Sequence, residues 1–484
     1  MKRNLSLIAS ILIVIFIGMI AAPSALAQNK NISEETKYWQ RFEYIYDFIQ
    51  KYYIEETTAE QLYEGAIKGM LESLDDPYSY YLTDEEQIDL TDTATGEYAG
   101  VGLIIQKPDP GSYDPLTYRG KNPQYVEIVA PIEDGPSYRA GIHAGDYISK
   151  IDGESVVDLT VEEVKHRLRG NEGTKITYSV VRGKREFETT VKREIIEVPT
   201  VKYVMLEGPK ELMKNEKIGF IRIIQFTALT ADKVKEAILN FKRLGYTALI
   251  IDVRGNPGGL LSSVVDVADL FLSEGPIVTT KSRIAYENEV YLAHKNNTLI
   301  DQDIPIAVLI NRNSASASEI LAGALKDTGR GVLVGETTYG KASVQQPRNI
   351  GDASFKLTIA RYFTPNDINI DKIGVEPNIE AIERQLSDEE QELLDKLFES
   401  QIIENYIDVN KDPSPKQISS LISNLKEEGY YFEDRILRRL IMQEVYRYWD
   451  FPPIYDLDYD VTLQAAVEAI SNPGETNVLL QAKH

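Results

Sequence analysis

Between Ile218 and about Ile382 the chain alternates apolar runs with amphipathic stretches, and this alternation constrains its fold more than any other feature. The runs IGFIRIIQF, TALIIDVRG, IPIAVLI and GVLVGE are rich in Ile and Val, as expected of strands buried on both faces. Ala231 to Leu244, Leu260 to Leu272 and Ala317 to Lys326 carry apolar residues at helical spacing. An α/β layered domain follows, and ligands of such sheets gather at the carboxyl ends of the strands.

The flanks read differently. From Ser33 to about Thr91, YWQRFEYIYDFIQKYYI and LYEGAIKGMLESL repeat bulky residues every three or four positions, and Asp75-Asp76-Pro77 makes a turn. A helical scaffold or dimerisation arm is expected there. From Gly96 to about Glu194 the period becomes that of strands in GVGLII, YVEIVAP, DYISKIDG and TKITYSVVR, interrupted by one short helix, Thr160 to Leu168. After Ser387 helices return, announced by capping boxes at Ser387 and Ser414 and by an apolar face containing Leu437, Leu440, Ile441 and Val445. The expected division is a leader or anchor over 1–27, a helical region over 28–95, a strand-rich domain over 96–195, the α/β core over 196–382 and a helical region over 383–484 whose apolar face serves core packing or self-association. The fold class is multidomain α+β, consistent with a chain of 484 residues.

Composition narrows the chemistry. Lys2 and Arg3 precede an apolar run from Leu7 to Ala22, then Pro23 and Ala25-Leu26-Ala27, the layout of a secretory signal cleaved before Gln28. An uncleaved anchor is the alternative and would leave the protein membrane-associated. Either way the body is expected outside the cytoplasm. A net charge of −23 argues against a nucleic-acid partner, which needs clustered Lys and Arg. The absence of Cys removes disulfides, thiolate metal sites and cysteine nucleophiles. His143, His166, His294 and His484 show no metal-ligand spacing, so no metal and no cofactor are expected.

Three loops carry candidate chemistry. After IPIAVLI, Asn311-Arg312-Asn313-Ser314-Ala315-Ser316-Ala317-Ser318-Glu319-Ile320 feeds small residues straight into a helix. There N–H groups and the helix dipole favour developing negative charge. A serine at this position either caps the helix or acts as a nucleophile. No His lies between His294 and His484, so Lys becomes the leading candidate base. Lys341 follows GVLVGE on a loop beside Tyr339, Ala342 and Val344; apolar neighbours lower a lysine pKa and free a neutral amine for general-base work. The competing reading is a solvated surface lysine. Gln345 can orient such an amine without adding a negative charge. Gly335 to Lys341 also fits seven positions of a phosphate-binding P-loop, but Ala342 stands where Ser or Thr is required and Pro347 opposes the following helix. Finally, Asp252-Val253-Arg254-Gly255-Asn256-Pro257-Gly258-Gly259 ends TALIIDVRG with a turn whose glycine N–H groups can converge on an oxyanion or merely reverse the chain.

The segment Gly100-Val101-Gly102-Leu103, the run PSYRAGIHAGDYISKIDGESV and the helix before Arg169-Gly170 together resemble a PDZ domain. Such a domain adds a peptide C-terminus as a strand and holds its carboxylate on loop N–H groups, a role falling on Gly100, Val101, Gly102 and Leu103. The stretch Gln106 to Gln124 looks like an insertion in the hairpin. DVRGNPGG, NSASASEI and GKASVQ, preceded by this segment and by GAIKGMLESLDDPYSYYL, resemble the carboxyl-terminal processing peptidases from about Tyr44 to Ile379. The resemblance implies a crotonase-like α/β protease core with an inserted or preceding PDZ domain. It assigns the nucleophile to Ser316, the base to Lys341 and the orienting amide to Gln345. It places the oxyanion hole on the N–H groups of Gly258 or Gly259 and of Ala317, with Ser314 and Ser318 in support. It further implies polypeptide substrates engaged by their C-termini and a homodimer. Thr364-Pro365-Asn366-Asp367 lacks the family's usual Gly. Modularity suggests PDZ gating, with Arg169 as a charged latch. Two rivals are a non-catalytic PDZ scaffold and a crotonase-like acyl-transfer enzyme acting on small esters.

Overall fold

The computed structural model describes residues 33–109, 120, 122–208, 210–214, 216–350 and 353–472. The leader or anchor at 1–27 and most of the insertion at 106–124 lie outside them. The chain divides into two units, one of residues up to 81 with 348–357, the other of 82–347 with 358 onward.

In the first unit, the helices Glu34–Tyr52 and Ala59–Glu72 begin on side-chain caps from Ser33 and Thr58, the second a full capping box with Gln61. Neither helix has a buried residue. The expected turn at Asp75 is made with a left-handed φ of 54°.

The larger unit is built on a six-stranded sheet in the order Val201–Met205, Ile218–Ile223, Ala248–Asp252, Ile306–Ile310, Val332–Gly335, Ile379–Glu380. Its first pair is antiparallel and the others parallel. Side chains alternate between faces as the pleat requires. Ile221, Leu249, Ile251, Val308, Ile310 and Leu333 join the helices Thr230–Leu244, Leu261–Asp269 and Ala317–Asp327 in the main core. Phe220, Ile250, Ala307, Leu309 and Val334 face the other way. There they meet Leu463, Ala466, Val467 and Ile470 of the helix Val461–Ser471. The last helix therefore belongs to the core sheet, whereas Asp388–Ser400, Ile402–Val409, Pro415–Glu427 and Asp434–Tyr446 pack on one another around Leu421, Leu425, Leu437 and Ile441.

A separate antiparallel sheet runs Leu103–Gln106, Val126–Pro131, Tyr147–Ile151, Lys175–Arg182, Arg185–Lys192, over its own core of Ile128, Ile148, Val164 and Val180. Leu103–Gln106 is one of its edge strands, and the helix Val161–Leu168, capped by Thr160 and Glu163, contributes Val164 and Leu168 to the same core. Polar contacts fasten this module to the C-terminal helices: Arg447 donates to Glu127 at 2.6 Å, and Asp450 accepts from the Ala144 N–H at 2.7 Å.

Candidate active site

The strand Ile306–Ile310 is wholly buried, and so are Ala317 to Leu325 of the helix that follows the serine loop. Between them Ser316 is half-exposed and holds φ 55°, ψ −114°, a conformation that costs a non-glycine residue free energy and persists only where neighbours enforce it. The neighbours are identifiable. The Ser316 N–H donates to Glu319 Oε2 at 2.8 Å, and its carbonyl accepts from the Tyr362 hydroxyl at 3.1 Å. The flanking serines stitch the loop to the glycine turn: Ser314 Oγ donates to the Val253 carbonyl at 2.9 Å, Ser318 Oγ to the Asn256 carbonyl at 3.0 Å.

That turn lies directly against the serine loop. A Cβ built on Gly258 would stand 2.7 Å from Ser316 Cβ and 3.0 Å from the Ala317 nitrogen, so the approach requires glycine. A Cβ on Gly259 would meet the Phe226 carbonyl oxygen at 2.0 Å. The Gly258 N–H is donated to Asn256 Oδ1 at 2.8 Å, while the buried Asn256 amide donates to the Ile223 carbonyl at 2.9 Å. No hydrogen bond within the described residues takes up the N–H of Gly259 or of Ala317.

Arg254 anchors the start of the same turn. Its guanidinium forks onto Asp252 (2.9 and 2.8 Å) and Asp460 (2.9 and 2.6 Å). Burial opposes its charge, but the two carboxylates outweigh burial and keep it protonated. Asp460 also caps the helix Val461–Ser471 through the Leu463 N–H at 2.9 Å, so the C-terminal segment is wired to the loop beside Ser316.

The lysine loop closes on the same centre. Glu319, fully buried, accepts from Ser316 N–H and Lys341 N–H on Oε2 (both 2.8 Å) and from Gly340 N–H and Thr338 Oγ1 on Oε1 (both 2.6 Å). The Tyr362 hydroxyl also donates to Oε2 at 3.4 Å. Burial pushes the Glu319 pKa up, and the hydrogen bonds from Thr338, Lys341, Gly340 and Ser316 work against that push. The Tyr362 hydroxyl also contacts the Lys341 carbonyl. Lys341 is half-buried and precedes buried Ala342. The following segment, Ser343–Ile350, is a strand, where a P-loop would need a helix. Gln345 lies on it, its amide nitrogen donating to Ser343 Oγ at 2.7 Å and Thr358 Oγ1 at 3.3 Å. At Thr364-Pro365-Asn366-Asp367, Asp367 takes φ 62° and closes the turn onto the Thr364 carbonyl at 2.8 Å.

The serine, lysine and glycine loops singled out in the sequence thus lie together, joined by groups that carried little local signal. Glu319 was visible only as the acid ending the serine run, and its signal was its place on the apolar helical stretch SEILAGAL. Tyr362, and the contacts of Asn256 with Ile223 and of Asp460 with Arg254, carried no local signal, because those partners are distant in the chain.

In the strand-rich module, Val101 is buried and Gly102 has φ 71°. The Val101 carbonyl accepts from the Ser137 N–H and Oγ at 3.1 and 2.7 Å, and the Gly102 carbonyl accepts from Ile132 N–H at 2.9 Å. Arg169, just past the helix Val161–Leu168, pairs with Asp89 and, at 3.0 Å, with Asp92 of the helix Asp84–Thr95. Asp89, Glu162 and His166 lie close together, but Lys165 already pairs with both acids.

Comparison with known proteins agrees with this architecture. Residues 217–381 match peptidase family S41, residues 127–182 a PDZ domain, and residues 19–86 the activating protease CtpB N-terminal domain. The chain is 35% identical over 377 residues to a carboxy-terminal-processing protease of Bartonella bacilliformis, covering 75% of this chain and 80% of that one. It is 33% identical over 391 residues to the carboxy-terminal processing protease CtpA of Bacillus subtilis, covering 79% and 78%. The solved photosystem II D1 C-terminal processing protease aligns with 27% identity and a TM-score of 0.42, covering 72% of this chain and 93% of that one. A PDZ module, an α/β core with its serine loop at a strand's carboxyl end, and relatives matched over most of both chains lead to one assignment: the chain belongs to peptidase family S41, as a serine-type carboxy-terminal processing protease.

Proposed function

We propose that Ser316 and Lys341 form the catalytic dyad of this protease. Lys341 Nζ, as the neutral amine, takes the Ser316 Oγ proton while Oγ attacks the scissile carbonyl carbon. The same amine then returns the proton to the leaving nitrogen, and water hydrolyses the acyl-enzyme. The oxyanion falls to the Ala317 N–H at the helix N-terminus and to the Gly259 N–H, since Gly258 donates to Asn256. Gln345 orients the amine once its amide leaves Ser343. The observation that carries this reading is the shared carboxylate: Glu319 Oε2 accepts from the backbones of both Ser316 and Lys341 at 2.8 Å, which binds two loops distant in sequence into one site.

The reading extends to recognition and setting. The PDZ module takes the substrate's C-terminus at Gly100 to Leu103, and Arg169 gates access by exchanging Asp89 and Asp92 for the incoming carboxylate. The protein acts outside the cytoplasm as a homodimer. The helix Glu34–Tyr52 supports dimerisation, with Trp39, Phe42, Ile45 and Tyr52 all exposed on it. No helix among the described residues is long and apolar enough to cross a membrane.

The test is labelling with a fluorophosphonate probe together with mass spectrometry of a cleaved polypeptide. Wild type is labelled on Ser316 and cleaves. Ser316→Ala does neither, and Lys341→Ala loses turnover. An active Lys341→Ala protein, or a label on another serine, would overturn the assignment.

A further inference from the structure

The PDZ module keeps one lysine out of solvent. Lys107, 8% exposed, directly follows the edge strand Leu103–Gln106. Its Nζ donates to the carbonyls of Val156 at 2.6 Å, Val157 at 2.8 Å and Leu159 at 2.5 Å. An ammonium carries three protons and no acceptor, so each proton has one carbonyl. Those carbonyls belong to the loop that ends at Thr160, the cap of the helix Val161–Leu168. Lys107 therefore fastens the end of the strand to the start of the helix.

The opposite ends meet as well. The Gly170 N–H, just past the helix, donates to the Ala99 carbonyl at 3.3 Å, and a Cβ built on Gly100 would stand 3.8 Å from the Leu168 carbonyl oxygen. The strand segment and the helix thus run side by side in opposite directions, pinned at Ala99–Gly100 and again at Lys107. Leu103 and Ile105 of the strand pack on the same core as Val164 and Leu168 of the helix. Among the described residues, Leu103–Gln106 pairs on one side only, with Val126–Pro131, so a peptide can add along its other edge. A tail whose carboxylate sits at Gly100 to Leu103 runs antiparallel to that strand, and its upstream residues extend toward Gln106 and Lys107.

We propose that Lys107 is a positioning residue of this groove: its ammonium holds the loop before the helix against the far end of the strand, and thereby sets how long a stretch of substrate tail the module grips. From Gly100 to Lys107 an extended chain covers about 23 Å. A tail of four residues spans about 14 Å and stops short of the clamp, whereas one of eight, about 28 Å, passes it. Without the ammonium the three carbonyls lose their donors and the loop turns them to water. The groove then loses its far wall while its carboxylate end stays pinned at Ala99 and Gly100. The clamp selects substrates whose C-terminal tail is long and extended over those whose tail is short.

This inference rests on the reading that the PDZ module captures C-termini, and one experiment separates the two. Full-length protein carrying Ser316→Ala, with Lys107 or with Lys107→Met, is titrated with fluorescent peptides of four and eight residues that share one C-terminal sequence, and with the C-terminal amide of the longer one. Met keeps the apolar stem and removes the three donors. Lys107→Gln, which keeps two N–H donors, serves the same comparison if Lys107→Met does not melt as a folded protein. The expected result with Lys107 is a preference for the carboxylate over the amide and for the longer tail over the shorter. Lys107→Met should weaken the eight-residue peptide about fivefold to tenfold, the worth of about one hydrogen bond, and leave the four-residue peptide within about twofold. A merely structural lysine would weaken both lengths alike; that result, or no change in either, overturns the clamp while C-terminal capture stands. If carboxylate and amide bind the Lys107 protein equally, C-terminal capture itself fails and the clamp with it.

Discussion

The backbone amides of Ser316 and Lys341 donate to one oxygen, Glu319 Oε2, at 2.8 Å each. The proton transfer proposed between their side chains demands placement to a fraction of an ångström, and loops drift more than helices. A shared acceptor fixes the separation of the two backbones whatever the loops do. Because Glu319 sits three residues into the helix Ala317–Asp327, the helix becomes the ruler.

Glu319→Gln should therefore cost both stability and rate. The amide nitrogen replaces an acceptor facing two donors, and a buried donor left unsatisfied costs about 1–3 kcal/mol. Denaturant unfolding should show a loss of about that size, and kcat should fall at least tenfold with KM nearly unchanged. Wild-type kcat in a well-folded Glu319→Gln protein would exclude the ruler role.

The pH dependence separates a lysine base from a histidine base. Under the proposed dyad the neutral amine is the active form, so kcat/KM rises as pH rises. No limb near the ordinary histidine value of ~6.5 is expected. Lys341→Arg should be inactive throughout, because a guanidinium does not give up its proton. A pH–rate profile on a short peptide substrate checks both.

Gly259→Ala should fail more severely than most substitutions. Its φ is 146°, and the new Cβ would overlap the Phe226 carbonyl oxygen at 2.0 Å; either the turn opens or the protein unfolds. A loss above about 2 kcal/mol is expected from the strain and the displaced backbone. Circular dichroism melts combined with probe labelling distinguish an open turn, folded and unlabelled, from an unfolded chain.

Arg254→Met leaves Asp252, 1% exposed, without its counter-charge. Removing one partner of a buried pair costs about 3–5 kcal/mol, and here the lost link also joins the C-terminal helix to the glycine turn. Asp460→Asn, at the more accessible end, should cost less. Urea titrations of the two variants give the comparison.

Acid should loosen the PDZ helix from Asp84–Thr95. Burial pushes the Asp89 pKa up, but hydrogen bonds and charge from Lys165 and Arg169 more than offset it, and the net direction is down. A carboxyl depressed in the folded state contributes stability above its unfolded value of ~3.9 and loses it as pH falls through the lower folded value. Thermal melts of wild type and Asp89→Asn should differ most above the unfolded carboxyl value and converge as pH falls below it through the lower folded value. A gap that did not shrink across that acid range would contradict the ion-pair account.

What the sequence determined by itself was everything that depends on neighbours along the chain. Continuous Ile- and Val-rich runs made the strands buried on both faces, and Thr160, Ser387 and Ser414 marked helix starts that the structure caps as expected. Small residues after IPIAVLI made the turn that carries Ser316. The tertiary structure decided which distant groups meet. It put Glu319 under both loops, tied Arg254 to Asp460 across 206 positions and laid the helix Val461–Ser471 on the core sheet. Local patterns are set by backbone propensity and periodicity, which a short window reveals. Polar partners brought together by burial are chosen by the packing of the whole core, and no window of the sequence contains that.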